Sequence, residues 1–90
     1  MTGSDPTFGA IRALVEQVAG PRRTPPEVGS ETRLSEGGFW LDSVELLQVV
    51  VACEERFGIV FDSTQDLTGE TLETLATLTA LVHTKRQRLP

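Results

Sequence analysis

One stretch near the middle of the chain decides the fold: Gly38-Phe39-Trp40-Leu41-Asp42-Ser43-Val44-Glu45-Leu46-Leu47. In this stretch a loop rich in turn-forming residues gives way to the longest run of periodically spaced apolar residues in the sequence. Asp42 is a favoured helix N-cap, and Glu45 follows it at the spacing of a reciprocal capping box. The stretch therefore predicts a helix that begins at about Ser43. Unpaired N–H groups at a helix start favour negative charge, so a phosphoester on the Ser43 hydroxyl would be stabilised there.

Outward from this helix, apolar residues at steps of three and four predict a single all-α domain over residues 1–90. The predicted architecture is a four-helix bundle with three longer helices, one short helix and a long first loop. Its elements are helix I at about 6–19, the loop at 20–41, helix II at about 43–57, short helix III at about 64–67 and helix IV at about 71–86. We expect Asp5 to cap helix I, because Pro6 follows it at the first helical position.

Prolines and glycines recur in the long first loop and make regular structure unfavourable there. We expect Leu34 to anchor the loop on the core. Arg22, Arg23 and Arg33 are too sparse to form a nucleic-acid patch, and we interpret them as solvated loop charges.

The charge balance of the chain disfavours two classes of binding partner. Thirteen acidic residues against eight basic ones give a net charge of −5, which disfavours nucleic acid and anionic membranes. No apolar stretch approaches the roughly 20 residues of a membrane helix, and residues 1–6 lack the pattern of a secretion signal. We therefore expect a cytoplasmic protein. Cys53 is the only cysteine, lies within an apolar run and is predicted to be a core residue.

The sequence lacks the residue patterns that catalysis would need. His83 is the only histidine and stands on the last predicted helix, so a base beside Ser43 is not expected. The Gly-x-Ser-x-Gly elbow, a glycine-rich phosphate loop and the calcium loop of EF-hands are all missing from the sequence. The absence of these patterns predicts a chain that does not itself transform a substrate.

Three segments together resemble acyl carrier proteins. They are Leu41-Asp42-Ser43-Val44-Glu45-Leu46, then Glu54-Glu55-Arg56-Phe57-Gly58-Ile59, then Asp66-Leu67-Thr68-Gly69-Glu70-Thr71-Leu72-Glu73-Thr74-Leu75. In that family an Asp-Ser pair opens the second helix, and the serine carries a 4′-phosphopantetheine arm through a phosphodiester. The resemblance runs without a gap from Phe39 to about Val82.

The resemblance implies roles for the residues around the start of helix II. Ser43 would be the attachment residue, and Asp42 would be recognised by a phosphopantetheinyl transferase as well as capping the helix. Enzymes that load and process acyl groups, such as an acyltransferase or a ketosynthase, would dock on one face of helix II. The residues expected on that face or at its edge are Trp40, Val44, Glu45, Gln48, Val51 and Glu55. The protein is expected to work as a monomer.

Some residues depart from the family pattern. Trp40 stands where a glycine is usual, Gly69 stands where many carriers have proline, and the middle of helix II is less acidic than in carriers of primary fatty acid synthesis. These departures favour a free-standing carrier of the polyketide type. A peptidyl carrier of nonribosomal synthesis is one alternative. A helical interaction module, in which Ser43 is only a cap and the Val44/Val51 face binds a partner, is the other.

Overall fold

The computed structural model describes residues 6–62 and 64–87, and this part of the chain is helical, as predicted. It contains the helices α1 (Pro6–Ala19), α2 (Ser43–Phe57) and α3 (Leu75–Gln87). The strand-like pairing found in these two ranges is an isolated antiparallel bridge between Arg33 and Thr74. The predicted cap of the first helix, Asp5, lies outside the described residues.

The core lies between the three helices, and α1 is its central element. This helix packs against both α2 and α3, whereas α2 and α3 touch each other only narrowly. Each helix contributes fully buried side chains, among them Ile11 and Val15 from α1, Val49 and Cys53 from α2, and Leu75, Leu78 and Val82 from α3. Complete burial of one such aliphatic side chain contributes about 1.5–3 kcal/mol to folding.

The long loop between α1 and α2 is fixed to the bundle by Leu34. The side chain of Leu34 is fully buried, which confirms its predicted role as an anchor. The N–H group of Leu34 donates to the Glu73 carbonyl at 2.9 Å. In return, the N–H groups of Leu75 and Ala76 donate to loop carbonyls at 3.1 and 2.8 Å. The loop therefore caps α3, and this explains how so long an irregular segment fits a small domain.

A tight turn at Gly38 directs the chain from this loop into α2. A Cβ atom at Gly38 would lie 1.9 Å from the Arg33 carbonyl oxygen, so only glycine fits at this close approach. The next residue, Phe39, is fully buried and donates its N–H to the same carbonyl at 2.9 Å. The turn thus places the residues just before α2 against the core.

The last helix begins at Leu75, later than the predicted start near residue 71. The hydroxyl of Thr74 accepts the Thr77 N–H at 3.1 Å, as a helix N-cap does. The Thr77 hydroxyl in turn donates to the Thr71 carbonyl at 3.0 Å. These side-chain bonds keep residues 71–74 out of the helix, because threonine hydroxyls compete with the helical backbone bonds.

The predicted short helix at about 64–67 is a turn over residues 64–66. The Asp62 carboxylate accepts the N–H groups of Thr64 and Gln65 at 2.8 and 3.1 Å, which starts a helical turn. The Thr71 hydroxyl then bonds the Asp66 carbonyl, so the chain leaves the helical path. Lys85 of α3 pairs with the Asp66 carboxylate at 2.8 Å and holds the turn against the bundle.

Candidate functional site

The start of α2 is closed by a capping box between Asp42 and Glu45. The Asp42 carboxylate accepts the Glu45 N–H at 2.8 Å, and the Glu45 carboxylate accepts the Asp42 N–H at 3.1 Å. The backbone of Asp42 is extended, as an N-cap requires, and its carbonyl accepts the Leu46 N–H at 2.8 Å. The orientation of the first turn of α2 is therefore fixed by local hydrogen bonds.

Ser43 is the first residue of α2, and it is exposed to solvent. Within the described ranges, the N–H groups of Ser43 and Val44 donate to no backbone carbonyl and no side chain. The Ser43 hydroxyl thus stands on a rigid helix start, accessible from outside and beside unpaired backbone donors. This arrangement fits a phosphoester on Ser43, because such donors and the helix dipole stabilise a nearby anion.

The Glu45 carboxylate also forms an ion pair with Arg23, which lies in the loop just after α1. Arg23 Nη1 donates to Glu45 Oε1 at 2.7 Å, and Arg23 Nη2 donates to Glu45 Oε2. Hydrogen bonds from Arg23 and from the Asp42 N–H lower the pKa of Glu45 from 4.5 to about 2. Glu45 is therefore a carboxylate at neutral pH whose negative charge is matched within the protein.

The interpretation of Arg23 as a solvated loop charge is wrong, since it is half-buried and bonded to three parts of the chain. Arg33 is also paired, with Glu73 at 3.3 Å, although both side chains are about half exposed. Sequence spacing offers no sign of either pair, because each partner is distant along the chain.

Trp40 precedes the cap and has an unusual backbone conformation. Its φ is 58°, in the left-handed region that glycine adopts without steric cost. Trp40 is 57% exposed, so the indole is not packed into the core. The Trp40 carbonyl accepts a hydrogen bond from Arg23 Nη1 at 3.3 Å. Trp40 therefore occupies a backbone conformation that would suit glycine better.

The outer face of α2 carries an exposed apolar surface, which we call the α2 face. It is a shallow depression of about 400 Å³ lined by Val44, Leu47, Gln48, Val51, Ala52 and Glu55. Val44 and Val51 are 62% and 49% exposed. Glu45 does not line this depression and is held by Arg23. The α2 face is therefore mainly apolar, with Glu55 as its carboxylate.

A second depression opens beside Ser43, on the side of α2 that faces the segment before α3. This groove measures about 360 Å³ and is lined by Ser43, Leu46, Leu47, Val50, Leu67 and Leu72. Leu67 and Leu72 come from the turns that separate α2 from α3 and form its opposite wall. An apolar surface thus lies directly next to the exposed hydroxyl.

The other reactive side chains offer no competing site in the described part of the chain. Burial raises the pKa of the Cys53 thiol to about 11, so this residue is a protonated core side chain at neutral pH. No cluster of histidine, cysteine or carboxylate side chains suited to a metal ion occurs in residues 6–62 and 64–87. In the same residues, no helix has both the length and the apolar character needed to cross a membrane.

The chain is similar to known proteins over most of its length. The family described as "Phosphopantetheine attachment site" matches residues 9–81. A protein of Streptomyces halstedii named "Probable acyl carrier protein" is 29% identical over 82 residues, which cover 91% of this chain and 89% of that protein. No solved structure matches the chain significantly. The family match contains the whole of α2 and its cap.

Proposed function

This chain belongs to the family of proteins with a phosphopantetheine attachment site, and we propose that Ser43 is the residue to which the arm is attached. The protein acts as an acyl carrier and not as an enzyme. The 4′-phosphopantetheine arm supplies a terminal thiol that holds an acyl group as a thioester. The chain's own contribution is to present one hydroxyl to a transferase and to display the cargo to other enzymes.

The observation that supports Ser43 most directly is its position on α2. Ser43 is exposed at the first position of a helix whose start is closed by a capping box. A hydroxyl there is accessible to a transferase, and the adjoining Ser43 and Val44 N–H groups favour the phosphate that is added. The groove beside Ser43 offers an apolar wall next to the attachment point.

We assign recognition by the transferase to Asp42 and docking of partner enzymes to the α2 face, with Trp40 at its edge. Asp42 adjoins Ser43 and is exposed, so a basic group of a phosphopantetheinyl transferase can approach it. Val44 and Val51 give the face an apolar centre, which suits docking because exposed apolar patches commonly mark interaction sites. Partners of this face would include the transferase and enzymes that load and process acyl groups.

We further propose that the carrier works as a monomer in the cytoplasm, where coenzyme A donates the arm, and that it serves polyketide or related secondary metabolism. The mainly apolar character of the α2 face supports this assignment, because the carriers of primary fatty acid synthesis are more acidic there. In the four-helix plan of such carriers, the turn at 64–66 would take the place of the short third helix. Its cap by Asp62 and its tie to Lys85 support that placement.

The proposed function is tested by loading the protein with an acyl group. Purified protein is incubated with an acyl-coenzyme A and a broad-specificity phosphopantetheinyl transferase, and its intact mass is measured before and after hydroxylamine treatment. The expected result is one acylated arm per chain, with the acyl group but not the arm removed by hydroxylamine. Folded protein that gains no mass would instead favour an interaction module without a prosthetic group.

The choice between an acyl and a peptidyl carrier needs a second step. The protein with its arm is offered to a malonyl-transferring acyltransferase and, separately, to an amino-acid-adenylating enzyme of nonribosomal synthesis. We expect loading by the acyltransferase. Loading by the adenylating enzyme alone would assign the chain to the peptidyl carriers.

A further inference from the structure

We propose that Arg23 is a positioning residue for the modification of Ser43, an inference that rests on the proposed function. Arg23 does not touch Ser43. It acts through the capping box, by fixing the Glu45 carboxylate that completes the box and by joining the end of α1 to the start of α2.

The guanidinium of Arg23 connects three segments of the chain. Its Nε donates to the Ala19 carbonyl at the end of α1 at 3.1 Å. Its Nη1 donates to the Trp40 carbonyl at 3.3 Å and to Glu45 Oε1 at 2.7 Å, and its Nη2 donates to Glu45 Oε2. A planar guanidinium can make such a forked set of bonds, whereas a lysine ammonium presents a single charged centre.

The connection continues from Glu45 to the residue adjoining Ser43. Glu45 Oε1 accepts both Arg23 Nη1 and the Asp42 N–H, and Asp42 Oδ1 accepts the Glu45 N–H. Arg23 therefore limits the motion of the cap and, through it, the position of the Ser43 hydroxyl.

In the transfer reaction the Ser43 oxygen forms a new P–O bond to the pantetheine phosphate. The pyrophosphate bond of coenzyme A breaks, adenosine bisphosphate leaves, and the hydroxyl proton passes to a base of the transferase. The rate of such a step depends on how well the attacking oxygen is positioned.

Arg23 also determines which carboxylate beside Ser43 is held in an ion pair and which stays open to the transferase. Glu45 is paired with Arg23, whereas Asp42 has no ion pair with any cation in residues 6–62 and 64–87. Loss of Arg23 would expose a second carboxylate next to Asp42 while loosening the cap. We therefore expect binding of a basic transferase to be kept or strengthened and the transfer step to slow. A role confined to stability would change neither kinetic constant once the protein is folded.

The test measures kcat and KM for transfer of the arm from coenzyme A in wild-type protein and in Arg23→Met, Arg23→Lys and Arg12→Met. Arg12→Met is the matched control, because it breaks an exposed ion pair with Glu16, 2.8 Å long, within α1. Circular dichroism establishes that each variant is folded at the assay temperature. We expect Arg23→Met to lower kcat about tenfold with KM unchanged or reduced. Arg23→Lys should lie between it and the wild type, and Arg12→Met should match the wild type.

Each outcome decides the proposal. The proposal is overturned if folded Arg23→Met has the wild-type kcat, or if Arg12→Met loses as much kcat as Arg23→Met. If Arg23→Met does not fold, Arg23→Lys decides, and a wild-type kcat in that folded variant overturns the proposal. Wild-type protein that accepts no arm overturns the proposed function, and the positioning role with it. If the wild-type protein accepts the arm but substitution of Arg23 leaves kcat unchanged, the positioning role alone is overturned.

Discussion

Arg23 and Glu45 form a two-pronged ion pair that joins the loop after α1 to the first turn of α2, with 2.7 Å between Nη1 and Oε1. The pair closes a chain of hydrogen bonds that ends at Asp42, the residue before Ser43. A long irregular loop leads into the exposed serine, yet the serine stands on a fixed helix start. The ion pair and the capping box together explain this rigidity.

The depressed pKa of Glu45 predicts a defined loss of stability in acid. Because the folded state favours the carboxylate, the contribution of this group is present above pH 4.5 and is lost as the pH falls towards about 2. Glu45→Gln should be less stable than the wild type at neutral pH and should lose less stability over that interval. Its stability should still decline somewhat in acid, since Asp62 and Asp66 also have lowered pKa values. Urea unfolding midpoints at a series of pH values would measure both curves, and parallel curves would contradict the prediction.

The positive φ of Trp40 predicts that glycine is the better residue at this position. Trp40→Gly and Trp40→Ala remove the same exposed indole, but only glycine adopts a φ of 58° without steric cost. Trp40→Gly should therefore be more stable than Trp40→Ala by about 1 kcal/mol. The difference is measured by urea unfolding. Equal stabilities of the two variants would mean that the backbone at this position is not strained.

The two roles of Asp42 can be separated with a pair of substitutions. Asp42→Asn keeps a capping oxygen and removes the charge, whereas Asp42→Ala removes both and should cost about 1 kcal/mol of folding free energy. If the transferase recognises the charge, both variants should accept the arm several-fold more slowly than the wild type. Wild-type modification kinetics in Asp42→Asn would show that Asp42 serves only as a cap.

The α2 face predicts a difference between two exposed valines. Val51 is 49% exposed on that face, and Val60 is 76% exposed on the segment after α2. Neither side chain is buried, so a lysine at either position should change stability by no more than about 0.5 kcal/mol. Val51→Lys should raise the KM of a phosphopantetheinyl transferase several-fold, and Val60→Lys should leave it unchanged. Equal effects at the two positions would remove the support for a docking role of the α2 face.

Local features of this fold could be predicted from the sequence, because they depend on residues close together in the chain. A capping box needs two side chains three residues apart, and an amphipathic helix needs apolar residues at steps of three and four. The all-helical class follows from those patterns. The start of the last helix was predicted too early because Leu72 continues the apolar spacing of α3, whereas the threonine hydroxyls around Thr74 cap the helix so that it begins at Leu75.

Features that depend on the path of the loop could not be predicted from the sequence. The partner of Arg23 is set by how the loop returns to α2, and nothing in the spacing of Arg23 and Glu45 indicates it. The backbone of Trp40 is likewise a consequence of the turn at Gly38, where the chain passes against the Arg33 backbone. The exposed position of Trp40 follows from that turn, and so does the way its carbonyl meets Arg23.

The most direct test of the account is the intact mass of the wild type, Ser43→Ala and Ser30→Ala after incubation with coenzyme A and a broad-specificity phosphopantetheinyl transferase. Ser30 is the control, since it is an exposed serine of the long loop. The account predicts one added phosphopantetheine on the wild type and on Ser30→Ala, and none on folded Ser43→Ala. An arm on Ser43→Ala, or no arm on the folded wild type, would contradict the assignment of Ser43 as the attachment residue.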